Sequence, residues 1–349
     1  MLYKEHWDEL KMRMEGYWAR EAMDRCCAAI TVRRPGMKGA GGRSFYFDVE
    51  ESDRVHRINF AAHEYLAEAM PIAFSYFGTA GVAEYVGCRP ERTPETTWFH
   101  PCLEEPEAEE ILFRDRAAFQ AQKEALERHV ALAKGDYLVS VTDNCGVMDA
   151  LAAIRGSEEL LMDMIADPEF VEEALQRLLP IYKETQEQFF DVVRENNDGC
   201  VHSWMQIWAP KRLAQMQCDM SVMISQEMFN RFVMPELEEL SAFLDYAVYH
   251  LDGQEQIRHV DSLLSIKGLK AIQWTHVAGQ PRTSEFIPVL QKIQKAGKNL
   301  VLLPHKSEVG KLLDNLSCRG LQMIVGGVET REEAEDMLEF IRKHSKDRG

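Results

Sequence analysis

Tyr249-His250-Leu251-Asp252-Gly253 closes an apolar run that begins near Phe243, and a new helical pattern starts near Gln256. Such a run, ending in polar residues and turning into a helix, reads as a β-strand feeding a βα loop. Side chains alternate across a strand, so His250 and Asp252 project to one side at its carboxyl end. An imidazole and a carboxylate so placed can grip a divalent metal or handle a proton. The plainer reading is a structural pair in which the Asp orients the His.

The same alternation continues outward. Downstream, strand-like runs at 247–251, 269–274, 299–303 and 321–325 are separated by helical stretches, and the last helix spans 330–344. Upstream, apolar runs lie at 71–77, 137–142 and 200–208, with a short element at 216–220. Helical patterns cover 59–70, 117–134, 147–154, 158–165, 168–195 and 226–244. Eight strand-like runs alternating with helices predict parallel strands joined by right-handed crossovers, and the count favours an α/β (β/α)8 TIM barrel. No GxGxxG follows the first strand and no GxxxxGK[ST] occurs, so nucleotide-binding folds lack their usual signature.

Two segments stand outside the alternation. Residues 1–70 read as an N-terminal helical extension packing on a barrel of residues 71–349. It begins with an amphipathic helix carrying Trp7, Leu10, Met14 and Trp18, and a Gly-rich loop follows Val32-Arg33-Arg34-Pro35-Gly36. That helix can cover the barrel base or form a dimer contact, so a homodimer stays open. Residues 90–110 are Pro- and Glu-rich and aperiodic, which marks an insertion.

A formal charge of −17 argues against nucleic acid and anionic membrane as main partners, since both need clustered Lys and Arg. It permits a basic protein partner or a neutral or cationic small molecule. The eight cysteines form no CxxC pair, and the chain start shows no secretory pattern. Reduced thiols in a cytoplasm are the expectation.

In a barrel the chemistry sits where strands end. The polar and aromatic residues there are Tyr76, Asp143, Trp204, Gln206, Trp208, Cys218, Asp219, His250, Asp252, Trp274, His276, His305 and Glu329. Each has a structural alternative. Cys218 suits a small buried hydrophobe as well as a ligand. Asp143 is well placed to cap the next helix. The three indoles suit a core as well as a flat organic ligand. His276 and His305 read equally as exposed loop histidines. Zinc in catalytic centres takes three protein ligands and keeps one open position. His250 and Asp252 supply two, and Cys218, Asp219 or Glu329 are the candidates for the third.

The stretch from Cys218-Asp219-Met220 through Ser225-Gln226-Glu227-Met228-Phe229 to Phe232-Val233-Met234-Pro235-Glu236-Leu237 resembles the uroporphyrinogen decarboxylase superfamily. Tyr249-His250-Leu251-Asp252-Gly253, Arg258-His259-Val260-Asp261 and Ile272-Gln273-Trp274 look like a decarboxylase-like branch of anaerobic bacteria. Asp143, Gly146, Asp149 and Leu151-Ala152-Ala153-Ile154-Arg155-Gly156 fit the same branch, and the likeness runs from about Phe74 to the C-terminus.

The resemblance implies a (β/α)8 barrel and one of two chemistries. One is cofactor-free decarboxylation of a porphyrinogen, and the other is zinc-assisted methyl transfer to or from a corrinoid. The arginine-bearing loop of the decarboxylases is absent at Arg33-Arg34-Pro35-Gly36, and an acidic chain suits a polycarboxylate poorly. The coenzyme M methyltransferases carry His-x-Cys and a distant Cys. Here His250-x-Asp252 and Gly326-Gly327 stand instead, a harder donor set that suits an oxygen or nitrogen donor better than a thiol.

The resemblance thus implies a zinc-dependent methyltransferase taking a methyl group from a small methylated donor, a methoxylated aromatic or a methylamine-type compound, to a corrinoid. The corrinoid would arrive on a separate carrier protein, since the Asp-x-His-x-x-Gly signature of such carriers is missing. His250, Asp252, Cys218 and Glu329 are then the metal candidates, Asp143, Asp219 and His276 the catalytic ones. Tyr76, Trp204, Gln206, Trp208, Trp274 and His305 would line the substrate. The alternatives are a cofactor-independent decarboxylase of a small carboxylic acid or porphyrinogen-like substrate and a noncatalytic barrel that binds a corrinoid or an aromatic compound.

Overall fold

Which runs become strands is decided by how completely they are buried. The computed structural model describes residues 1–41, 45–142, 144 and 146–348. In chain order, α1 (Trp7–Trp18), β1 (Cys27–Arg33), α2 (Val49–Ala61), β2 (His63–Ala67) and β3 (Ile72–Phe74) come first. Next are α3 (Val82–Val86), β4 (Arg89–Arg92), β5 (Thr97–His100), α4 (Arg116–Ala133) and β6 (Leu138–Ser140). The middle holds α5 (Val147–Arg155), α6 (Ser157–Ala166), α7 (Pro168–Asn197), β7 (Cys200–His202), β8 (Ile207–Ala209) and β9 (Leu213–Met216). Then α8 (Gln226–Met228), α9 (Met234–Phe243), β10 (Tyr246–Asp252), α10 (Val260–Ser265), β11 (Leu269–Thr275) and α11 (Ile287–Lys295) follow. The chain closes with β12 (Asn299–Leu302), α12 (Val309–Asn315), β13 (Leu321–Ile324) and α13 (Arg331–His344).

The central sheet has seven strands in the order β2-β1-β13-β12-β11-β10-β9. All its neighbours pair in parallel except β2, which runs antiparallel to β1. Parallel strands joined by helices are covered on both faces and so read as continuous apolar runs. Every residue of β9 and β12 is buried accordingly.

The expected eight-stranded closed barrel is not what the hydrogen bonds draw. Among the described residues the sheet ends at β2 and β9 and does not close, while β3 pairs only with β6, and β7 only with β8. The free edge of β1 is taken by β2, and β3, β6 and β7 are three residues each, too short to extend the ladder. The first seventy residues also contribute β1 and β2 to the sheet, so they are more than a helical extension. The aperiodic stretch 90–110 holds the turn and second strand of the β4–β5 hairpin.

The N-terminal helix is fastened to its own chain. Trp18 donates its indole N–H to the Trp208 carbonyl at 2.8 Å, and Trp7 packs edge-on against the Trp208 ring. Glu68 is buried among Arg13, Arg25 and the Ala28 N–H. Burial alone raises its pKa, but Arg25, Arg13 and that N–H overcome the effect and hold the carboxylate below its ordinary value. Among the described residues no helix is long and apolar enough to cross a membrane.

Candidate functional site

β10 carries His250 and Asp252 on one face, in register with Gln273 and Thr275 of β11. The His250 Nδ1 faces the Gln273 carbonyl oxygen, and the Gln273 amide donates to Thr275 Oγ1 at 2.9 Å. That amide orientation assigns a proton to Nδ1. Trp204 stands edge-on between two imidazoles, 5.2 Å from His250 and 5.0 Å from His202, centroid to centroid.

A directed line of amides ends at the same place. Gln215 donates to Gln217 at 2.7 Å, and Gln217 donates to Asp219 Oδ1 at 3.2 Å. Asp219 opens the short turn after β9, which is pinned by Asp149 of α5: its carboxylate accepts the Asp219 N–H at 2.8 Å and the Met220 N–H at 3.3 Å. Behind it, the buried Glu236 of α9 accepts the Val147 and Met148 N–H groups at 2.6 and 3.0 Å, capping α5 at its positive end. This junction admits only glycine at 146. A Cβ there would lie 2.1 Å from the Gln217 carbonyl oxygen and 2.8 Å from Glu236.

Carboxyls crowded in this way resist ionisation. Burial, then Asp219, pushes the Asp149 carboxyl up to about 7 against the pull of two backbone N–H groups. Burial and Asp252 raise Asp219, while His250 and Gln217 favour its anion. Burial and Asp149 push Glu236 up to about 8. Burial holds the His202 imidazole down at about 3, with Gln215 opposing and His250 reinforcing, so it is neutral near pH 7. The cluster is therefore acidic, neutral at His202, with Asp149 and Glu236 drawn toward neutral pH.

Beside His202 lies a cavity of about 20 Å³. Side-chain atoms of Ser140, Thr142, Asn144, Gln186, His202 and Gln215 around it are buried and lack a protein partner. That space suits about one water molecule, and the lining offers it both donors and acceptors.

The structure brings His250, Asp252, Asp219 and Trp204 together. Cys218 is wholly buried next to them; burial and then Asp149 drive its thiol far up, which keeps it protonated. The other expected residues serve elsewhere. Glu329 is exposed ahead of α13, its N–H held by Glu333. His276 is exposed and bonded to the Gln280 carbonyl, and His305 caps the turn at Lys306. Gln206 binds the Met70 N–H, Trp208 receives α1, and Trp274 is buried against Phe286. Tyr76 lines an aromatic pocket next to β3. Asp143 lies outside the described residues.

Zinc was tested against this donor set. Among the described residues no three His, Cys, Asp or Glu side chains are placed to share one ion. His250, Asp252 and Asp219 are electrostatic neighbours, but neither Cys218 nor Glu329 completes a centre with them. Among the described residues the donor set at the strand ends therefore stops at His250, Asp252 and Asp219, without a three-ligand zinc centre.

Asp149 and Glu236 were missed by strand-end reasoning. Glu236 did leave a signal: it is a carboxylate on the apolar stripe of a helix, beside Val233, Leu237 and Leu240.

No family model and no curated protein matches the chain. Among solved structures, a methyltransferase from Methanosarcina mazei superposes with a TM-score of 0.60 at 12% identity, covering 96% of this chain and 98% of that one. At that identity the likeness shows the fold, shared from end to end.

Proposed function

We propose that the chain is a methyltransferase that takes a methyl group from a heteroatom of a small organic donor, using a proton held by the Asp149 and Asp219 carboxyls of the Asp149–Asp219–Asp252 row. The observation that carries this reading is the row itself. Its carboxyls crowd together where β9 and β10 end, with burial pushing Asp149 up to about 7 and raising Asp219 above its ordinary value. The methyltransferase of like fold supports the reaction class. In this reading β3, β6 and β7 complete the curvature of a (β/α)8 barrel, whose strand-end rim is the usual place for catalysis.

The donor is taken as an aryl methyl ether and the acceptor as a reduced corrinoid on a separate carrier protein, which supplies the electron pair for the new bond to the methyl carbon. As the C–O bond breaks, its electron pair stays on oxygen. Asp219, exposed at the rim, gives that oxygen its proton, so the product leaves as a neutral phenol rather than a phenolate. His250 favours the carboxylate left behind, and the Gln215–Gln217 line donates into it. Asp149 holds the Asp219 turn in place, and Trp204 walls the reacting group from water. Among the described residues no Lys or Arg acts on the Asp149 and Asp219 carboxyls, which speaks against a carboxylic acid as substrate.

The test is methylation of cob(I)alamin by 2-methoxyphenol, followed by absorbance. Asp219→Asn is expected to slow turnover by about 10²–10⁴-fold, and a chelator is expected to change nothing. An undiminished Asp219→Asn rate contradicts the acid role. Loss on chelation with recovery on added zinc replaces the carboxyl by a metal.

A further inference from the structure

A second, larger pocket of about 530 Å³ opens beside the strand end of β3. Its volume is that of a small-molecule site. The rings of Phe45, Tyr46, Phe74, Tyr76 and Phe77 line it. Tyr46 and Tyr76 lie 6.3 Å apart, and Phe74 and Tyr76 5.6 Å, centroid to centroid, the spacing of aromatic contacts.

Their positions are fixed from behind. The Tyr46 hydroxyl sits between the carbonyl oxygens of Thr93 and Thr96, and the Tyr76 hydroxyl meets Thr96 Oγ1 at 3.3 Å, all on the β4–β5 hairpin turn. Tyr46 also holds φ at 50°, a left-handed conformation that a bulky side chain adopts only when its surroundings enforce it.

One wall is polar. His129 of α4 is buried, with Nδ1 at 3.1 Å from Ser75 Oγ, while its Nε2 is buried and has no protein partner. His56 of α2 stands 5.7 Å away, ring to ring, with Nδ1 at 2.7 Å from the Ser52 carbonyl oxygen. A nitrogen facing a carbonyl carries the hydrogen, so His56 Nε2 is the acceptor of a neutral ring. Burial, then His56, brings His129 down to about 4, and burial lowers His56 as well. Both rings are therefore uncharged near pH 7. Among the described lining residues none is Lys or Arg, Arg92 stacking on the Tyr46 ring 5.8 Å from its centroid, and the one lining carboxylate, Glu95, is exposed at the edge.

Flat aromatic walls select a planar ring, neutral imidazoles select a hydroxyl that both donates and accepts, and a lining without a cation rejects an anion. We propose that this pocket binds a small uncharged phenol, its ring packed against the aromatic side chains and its hydroxyl on His56 Nε2 beside the His129 ring. The inference stands on this pocket alone and does not require the methyl-transfer reading. Phe74 also borders the small polar cavity beside His202, so the pocket neighbours the catalytic candidate without sharing its carboxylates.

The test is calorimetric titration of the whole protein with phenol, benzoate and cyclohexanol, with ring-nitrogen NMR of the histidines alongside. Phenol is expected to bind saturably in the millimolar range or tighter, with benzoate and cyclohexanol each weaker by about tenfold or more. Phenol should shift the His56 and His129 ring resonances and leave His250 in place. His129→Phe should weaken phenol by about tenfold. Should that variant misfold, the resonance shifts in the unmodified protein decide. Absence of saturable binding, equal binding of benzoate, or shifts at His250 in place of His129 overturns the proposal.

Discussion

At the scale of single residues, Glu236 ties stability to pH. Its pKa in the folded protein, about 8, lies above the ordinary 4.5, so the folded state holds a proton that the unfolded chain releases. The contribution is therefore whole below the ordinary value and is lost as pH rises from about 4.5 through 8. Glu236→Gln should flatten that part of the profile, seen as a smaller fall in Tm between acid and mildly alkaline buffer. It should also cost about 1–3 kcal/mol in acid, because one of the two N–H groups at the start of α5 loses its acceptor. An unchanged pH profile would mean that Glu236 ionises normally. His250, Asp252 and Asp219 were legible in the sequence because strand alternation and βα punctuation are local. Asp149 and Glu236 were not, because the N–H groups they accept belong to elements 70 and 89 residues away.

At the scale of elements, the meeting of α5 with β9 depends on Gly146. A methyl group there collides with the Gln217 backbone and the Glu236 carboxylate at once. Gly146→Ala should cost about 1–3 kcal/mol and lower activity with stability, since the displaced strand end carries Gln217 and Asp219. Denaturant unfolding of the variant measures the first and turnover the second. A stable, active variant would show that the junction yields. The helix expected over 226–244 is instead α8, a π-helical turn at Phe229–Val233 and α9. Pro235 explains the turn: it lacks an N–H and its ring crowds the carbonyl four residues back, and a wider turn relieves both. The strand read over 200–208 is a hairpin, β7 and β8, with Gln206 at φ 48° in its turn. β2 sits in an Ala- and Glu-rich stretch that reads as helix, and pairing with the edge of β1 overrides that propensity. The four strands β10 to β13 were readable because each is a buried apolar run bounded by helices.

At the scale of the whole molecule, a charge of −17 works against compactness through self-repulsion. Raising NaCl from about 0.01 M to about 1 M shrinks the screening length from about 30 Å to about 3 Å and should raise Tm by a few degrees. A fall in Tm would show that attractive pairs outweigh the repulsion. The buried Glu68 clamp with Arg13 and Arg25 joins α1 to the sheet, and Glu68→Ala should cost about 3–5 kcal/mol by leaving both guanidiniums without their buried partner. Thermal melting of that variant checks it. Closure of the barrel was the global feature the sequence could not supply. Strand count is local, but which edges find partners depends on strand lengths and on β2 occupying the flank of β1.

The proposed acid role needs a carboxyl that keeps its proton near neutral pH at the Asp149–Asp219 pair, and carboxyl ¹³C NMR of aspartate-labelled protein reads it directly. The account predicts an aspartate that titrates near 7, with its step lost in Asp149→Asn and shifted in Asp219→Asn. Aspartates that all titrate in the ordinary acidic range, near 3.8, would contradict it.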